Sequence, residues 1–138
     1  MVTDPWVRTG RSASTRKARV HTSRSFEPLV TSAVDVRRFV HATLAEWHVE
    51  DDLVGFLANE LATNAILHAR TPFEVRLTRD ETTCRIEVTD SNPRMPVLQP
   101  VPAEAPSGHG MMIMNRQALA WGVDPEPEGK TVWCVVAC

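Results

Sequence analysis

The chain has 138 residues, 43% of them hydrophobic and 23% charged, and a formal net charge of -2. That length suits one domain with a single core. The composition is that of an ordinary globular protein, and so small a charge gives no overall bias toward nucleic acid or membrane surfaces. No apolar run approaches the ~20 residues a membrane helix needs, and the N-terminus has no apolar signal-peptide core. The three cysteines, Cys84, Cys134 and Cys138, form no C-x-x-C pair and are odd in number, which argues against a disulfide framework. Cys134 and Cys138 are expected to be small buried hydrophobes, and the protein is expected in the cytoplasm.

Residues 1–24 carry Arg8, Arg11, Arg16, Lys17, Arg19 and Arg24 against the single acid Asp4. With few large apolar side chains they cannot repay the entropy of ordering, which predicts a flexible basic tail ahead of a domain at 25–138. A basic tail permits a nucleic-acid contact, but a merely solvated one is the favoured reading. Ser25–Val30 is predicted as a short first strand, kept to a sheet edge by Pro28. Residues 32–47 form a helix, with Ser32 as its cap and Val36, Phe39, Val40, Leu44 and Trp47 as its apolar stripe. A second helix starts at Asp51 or Asp52 and ends near Ala69, ahead of Pro72.

On that second helix Glu60 and Asn64 stand one turn apart on one face, beside the stripe of Leu57, Leu61 and Ala65. An amide oxygen suits a hard cation such as Mg²⁺, and a carboxylate can accept a proton from a nucleophile. Taken alone, the same spacing also fits two ordinary solvated helix residues. His68, a further turn along, is expected to pack or to cap the helix.

Alternation begins beyond Pro72. Phe73, Val75 and Leu77, then Cys84, Ile86 and Val88, make a hairpin about a turn at 80–82 with one buried face. Asp90 is in phase with the second set, so a carboxylate points at the buried side, where it needs hydrogen-bond donors. Residues 91–107 hold Pro93, Pro96, Pro100, Pro102 and Pro106, a density that admits no regular helix or central strand. After Gly108-His109-Gly110, the spacing of Met111, Met114, Ala118 and Trp121 predicts a core helix stopped by Gly122. Thr131–Val136, after a turn at 126–129, is an apolar strand in the middle of the sheet. There is no internal repeat. Strands in one layer and about three helices in the other make an α+β two-layer sandwich with a mixed, mainly antiparallel sheet.

Four stretches stop looking accidental when taken in order. They are Glu60-Leu-Ala-Thr-Asn64-Ala-Ile-Leu-His68-Ala69, Val88-Thr-Asp90-Ser-Asn-Pro93, Gly108-His-Gly110-Met111, and Trp121-Gly122 with Gly129-Lys130-Thr131-Val132-Trp133. Over roughly residues 25–138 the chain resembles the histidine-kinase-like ATPase domains shared with gyrase-type ATPases. Within them it is most similar to the small bacterial branch that includes anti-sigma factors acting as serine-protein kinases.

The resemblance implies ATP and Mg²⁺ as cofactors, with the nucleotide between the helices and one end of the sheet, under a lid. It makes Asn64 the Mg²⁺ ligand, Glu60 the base or orienting carboxylate, and Asp90 the acceptor for the adenine amino group. Gly108, His109, Gly110 and Met111 become the phosphate-side stretch, its backbone N–H groups opening a helix. Thr131 is expected to reach adenine through water. The chain departs from the family in having Asn92 where larger members have glycine, in lacking the next glycine of that box, and in the short proline-rich lid.

The implied function is that of an anti-sigma-type regulator that phosphorylates a serine on an antagonist protein. Its partners are a sigma factor and that antagonist, and the resemblance also allows a homodimer. The alternative is an inactive nucleotide- or partner-binding module that works by sequestration. The catalytic half of a two-component histidine kinase is disfavoured, because the chain leaves no room for a dimerising helical hairpin.

Overall fold

The computed structural model describes residues 19–50, 52–94 and 110–138, with the side chains of 110–112 excepted. The elements run β1 (Val20–Phe26), α1 (Ser32–Glu46), α2 (Asp52–Asn64) with a π-helical continuation over Ala65–Ala69, and β2 (Phe73–Arg79). Then come β3 (Thr83–Asp90), α3 (Gly110–Gln117), β4 (Ala120–Glu126) and β5 (Gly129–Ala137). The strands form one sheet in the order β1-β2-β3-β5-β4. Every neighbouring pair is antiparallel, so among the described residues the sheet is not mixed.

The core lies between the helices and one sheet face. Val36, Val40 and Leu44 of α1, and Val54, Leu57 and Leu61 of α2, recur every three or four residues and are buried as a stripe. They meet Val75, Leu77, Ile86, Val88, Val132, Cys134 and Val136, the alternate residues of three adjacent strands, with Met114 of α3 closing the cluster. The two-layer α+β architecture expected from the sequence is the one present. No described helix is long and apolar enough to cross a membrane.

Two strands differ from expectation. The first occupies Val20–Phe26 rather than Ser25–Val30, so residues 20–24 belong to the sheet. Its side chains are mostly exposed. It is held instead by pairing with β2 along its whole length and by Phe26, stacked on Phe73 at 5.6 Å. The second difference is β4. The helix ends at Gln117, and Leu119 N–H already donates to the Val135 carbonyl (2.8 Å), opening a strand where helix was expected. Pro125 is tolerated there because β4 is the last strand of the sheet and its outer edge needs no donor. Gly122 does not cap a helix. It is buried beneath the Trp133 indole, and a Cβ there would lie 2.8 Å from the Trp133 Cζ2 atom.

Candidate functional site

At the end of α2, Glu60 and Asn64 are both half-buried, and among the described residues neither side chain has a hydrogen-bond partner. One residue before Glu60, the Asn59 amide oxygen is buried and also lacks a donor. Directly after Asn64 the helix widens into a π turn, with Arg70 N–H donating to the Ala65 carbonyl at 2.9 Å. Arg70 closes the turn in the left-handed region, at φ 58°. A π turn shifts the helical register of the residues beyond it, and such turns occur often at functional sites. His68 is exposed in the last turn of this segment rather than packed.

Asp90 ends β3 with its side chain on the core face, as its phase requires, and is 6% exposed. Its donor is supplied by the protein. Lys130, its direct cross-strand partner on β5 and 5% exposed, brings Nζ to 3.1 Å from Asp90 Oδ1. The ammonium also donates to the Asn92 carbonyl at 2.8 Å, and Asn92 N–H donates to the same Asp90 Oδ1 at 2.8 Å. Asp90 Oδ2 accepts from no described residue. A buried carboxylate that had no obvious donor in the sequence, other than a ligand, is thus half of an ion pair. Removing one partner of such a pair leaves an uncompensated charge.

Asn92 is the hub of the site. Its side-chain Nδ2 donates to the Ala69 carbonyl at 3.1 Å, tying the strand end that carries Asp90 to the π turn beyond Asn64. Its Oδ1 accepts from Arg94 N–H at 2.9 Å. It stands where the resemblance expects a glycine, yet it takes no left-handed backbone; among the described non-glycine residues only His48 and Arg70 do. The chain therefore uses the asparagine side chain there. Gly129 completes the arrangement, since a Cβ at that position would overlap the Asp90 carbonyl oxygen.

Thr131 is not brought to Asp90. It pairs with Thr89, one step along both strands, and alternation puts it on the opposite sheet face. Its hydroxyl lies 2.7 Å from Thr89 Oγ1 and 3.2 Å from Glu126 Oε1. Gly110 and Met111 open α3, as the sequence predicts. Gly108, His109 and the proline-rich lid from residue 95 lie outside the described residues. The residues missed by sequence reasoning are Lys130, Gly129 and the Asn92 side chain. For Lys130 a signal existed: it is in phase with Val132, Cys134 and Val136 and so had to point at the same face as Asp90.

The chemistry of these side chains, an amide oxygen and two carboxylates, is of the kind a hard cation and a hydrogen-bond donor take. Among the described residues Asn64, Glu60 and Asp90 Oδ2 offer oxygens that no donor engages. No described cluster of three or more His, Cys, Asp or Glu could hold a metal alone, so phosphate and water oxygens would have to complete its shell, as Mg²⁺ prefers. A separate open cavity of about 770 Å³ lies where α1 ends and α2 begins, lined by His41, His48, Glu50, Asp52 and Phe56 among others. It contains none of the predicted site residues.

Comparison with known proteins bears on the same span. The family model for the histidine kinase-like ATPase domain matches residues 26–136. The chain is also 38% identical, over 80 residues, to an uncharacterized protein of Streptomyces coelicolor, an overlap of 54% of this chain and 76% of that protein.

Proposed function

The chain belongs to the histidine kinase-like ATPase family, and we propose that within it the protein is a regulator of the anti-sigma-factor type that uses Mg-ATP to phosphorylate a serine on an antagonist protein. The observation that supports this most is the Glu60–Asn64 pair, unengaged among the described residues and linked through the π turn and Asn92 to the strand end bearing Asp90. Asn64 would hold Mg²⁺ through its amide oxygen, and the ion supplies charge neutralisation at the phosphates. Glu60 would accept the serine proton. Asp90 would accept from the purine edge, and the N–H groups opening α3 would face the phosphates. Phosphoryl transfer asks for little beyond such positioning. In this reading the protein, alone or as a homodimer, holds a cytoplasmic sigma factor until the antagonist competes, and phosphorylation of the antagonist resets the switch.

One observation favours a second reading, an inactive module that regulates by occupancy: Lys130 already engages the carboxylate meant for the base. Equilibrium ATP binding with and without Mg²⁺, and then transfer of labelled phosphate to candidate antagonist proteins, separates the two. Asn64→Ala is expected to lose the Mg²⁺-dependent part of ATP binding, and unchanged affinity would contradict its role. Glu60→Ala is expected to keep binding and lose transfer by about 10²–10⁴-fold. Binding without transfer to any antagonist would leave the occupancy reading standing.

A further inference from the structure

We infer that Cys84 and Cys138 are a redox modification site, closing to a reversible intramolecular disulfide when the protein meets a peroxide. The inference is independent of the nucleotide reading.

Strand register brings the two residues together. Cys84, at the start of β3, stands opposite Val136 of β5. Cys138 follows β5 and continues its ladder, donating its N–H to the Thr82 carbonyl at 3.0 Å. It is in phase with Val132, Cys134 and Val136, so it faces the core side, as Cys84 does. The two Sγ atoms are 2.6 Å apart, both as free thiols. A bond of about 2.05 Å between them asks for a small turn of the side chains.

Their exposures divide the chemistry. Cys138 is half-buried and open to a small oxidant, whereas Cys84 is 2% exposed and is reached through its neighbour. The Cys138 thiolate attacks a peroxide oxygen, the O–O bond breaks and hydroxide leaves, giving a sulfenic acid. The Cys84 sulfur then bonds to the Cys138 sulfur and gives up its proton, while the S–O bond breaks and water departs. Two thiols and one hydrogen peroxide become one disulfide and two waters, sulfur being oxidised and peroxide oxygen reduced. Cys134 takes no part: it is fully buried, and burial holds its thiol up at about 12, far from the thiolate form at neutral pH.

The bond would join residues 54 positions apart and staple β3 to β5 at the ends remote from Asp90 and Lys130. Closing so long a loop removes freedom mainly from the unfolded chain, so the oxidised form should be the more stable.

The test is treatment of the reduced full chain with hydrogen peroxide, then alkylation under denaturing conditions and peptide mapping by mass spectrometry without reductant. A linked Cys84–Cys138 peptide within one chain is expected, with Cys134 alkylated and the link reversed by dithiothreitol. The thermal midpoint of the oxidised protein should rise by roughly 5 °C or more. Cys138→Ser is expected to show neither the link nor the rise. Cys138 passing to sulfinic acid while Cys84 is recovered as a thiol overturns the inference. So does a link to Cys134, a link between two chains, or no oxidation at either residue. A link that leaves the midpoint unmoved overturns the staple. Should Cys138→Ser not fold, the map and melt of the wild-type protein decide alone.

Discussion

Cys134 lies fully buried in β5, between β3 and β4, and burial pushes its thiol up from 9.0 to about 12, with the Arg85 guanidinium pulling the other way. The thiolate is the reactive form, so the folded protein is expected to resist alkylation at Cys134 near pH ~8, where an unfolded chain would react. Mass spectrometry after iodoacetamide, with and without denaturant, checks this, and rapid native labelling would contradict the burial. The raised value also links to stability. Below pH 9 the thiol is neutral in both states and its contribution is intact; between about 9 and 12 only the unfolded chain ionises freely, so stability falls as pH rises. Lys130 shows the other use of a buried ionisable side chain. Its Nζ lies 3.1 Å from Asp90 Oδ1, in an ion pair.

The ends of three elements make the site, and Asn92 joins them. It links β3 to the π turn through Ala69, and to β5 through Lys130. Asn92→Ala keeps the backbone bonds but removes those made by Nδ2 and Oδ1. Each such bond contributes ~0.5–1.5 kcal/mol, so a loss of about 1–2 kcal/mol in urea denaturation is expected. Under the proposed function nucleotide affinity should fall as well, because the helix end proposed to hold Mg²⁺ would no longer be fixed to the strand end proposed to meet the base. Unchanged affinity in a destabilised variant would show that the tie serves the fold alone. At the far side of the sheet, β4 depends on a different fit: the Trp133 ring occupies the space that a Cβ at Gly122 would need, and Arg85 Cζ lies 4.5 Å from that ring's centroid.

For the molecule as a whole, a ligand that touches both layers must stabilise them together. A nucleotide held by β3 and α2, as proposed, would bind the folded state only. At 100 times its dissociation constant, Mg-ATP is expected to raise unfolding stability by ~2.7 kcal/mol. Thermal melts read this directly, and both chelation of Mg²⁺ and Asn64→Ala should remove most of the gain. A shift indifferent to Mg²⁺ and to Asn64 would place the nucleotide elsewhere on the chain.

Features that repeat over short distances were legible in the residues alone. The stripes of α1 and α2, the β2–β3 hairpin, and the inward aim of Asp90 all come from periods of 3.6 and 2 among neighbouring residues. So does the one-turn spacing of Glu60 and Asn64. Contacts between residues far apart in the chain were set instead by how the elements assemble. The polar stretch of β1 becomes a strand because β2 offers it a backbone ladder, and β4 accommodates Gly122 and Pro125 because it lies at an edge beside Trp133. Lys130 meets Asp90, and Thr131 turns away, because the register of β3 with β5 sets which of two adjacent residues shares the carboxylate's face. Local periodicity says toward which side a residue points; only strand pairing says what stands opposite it.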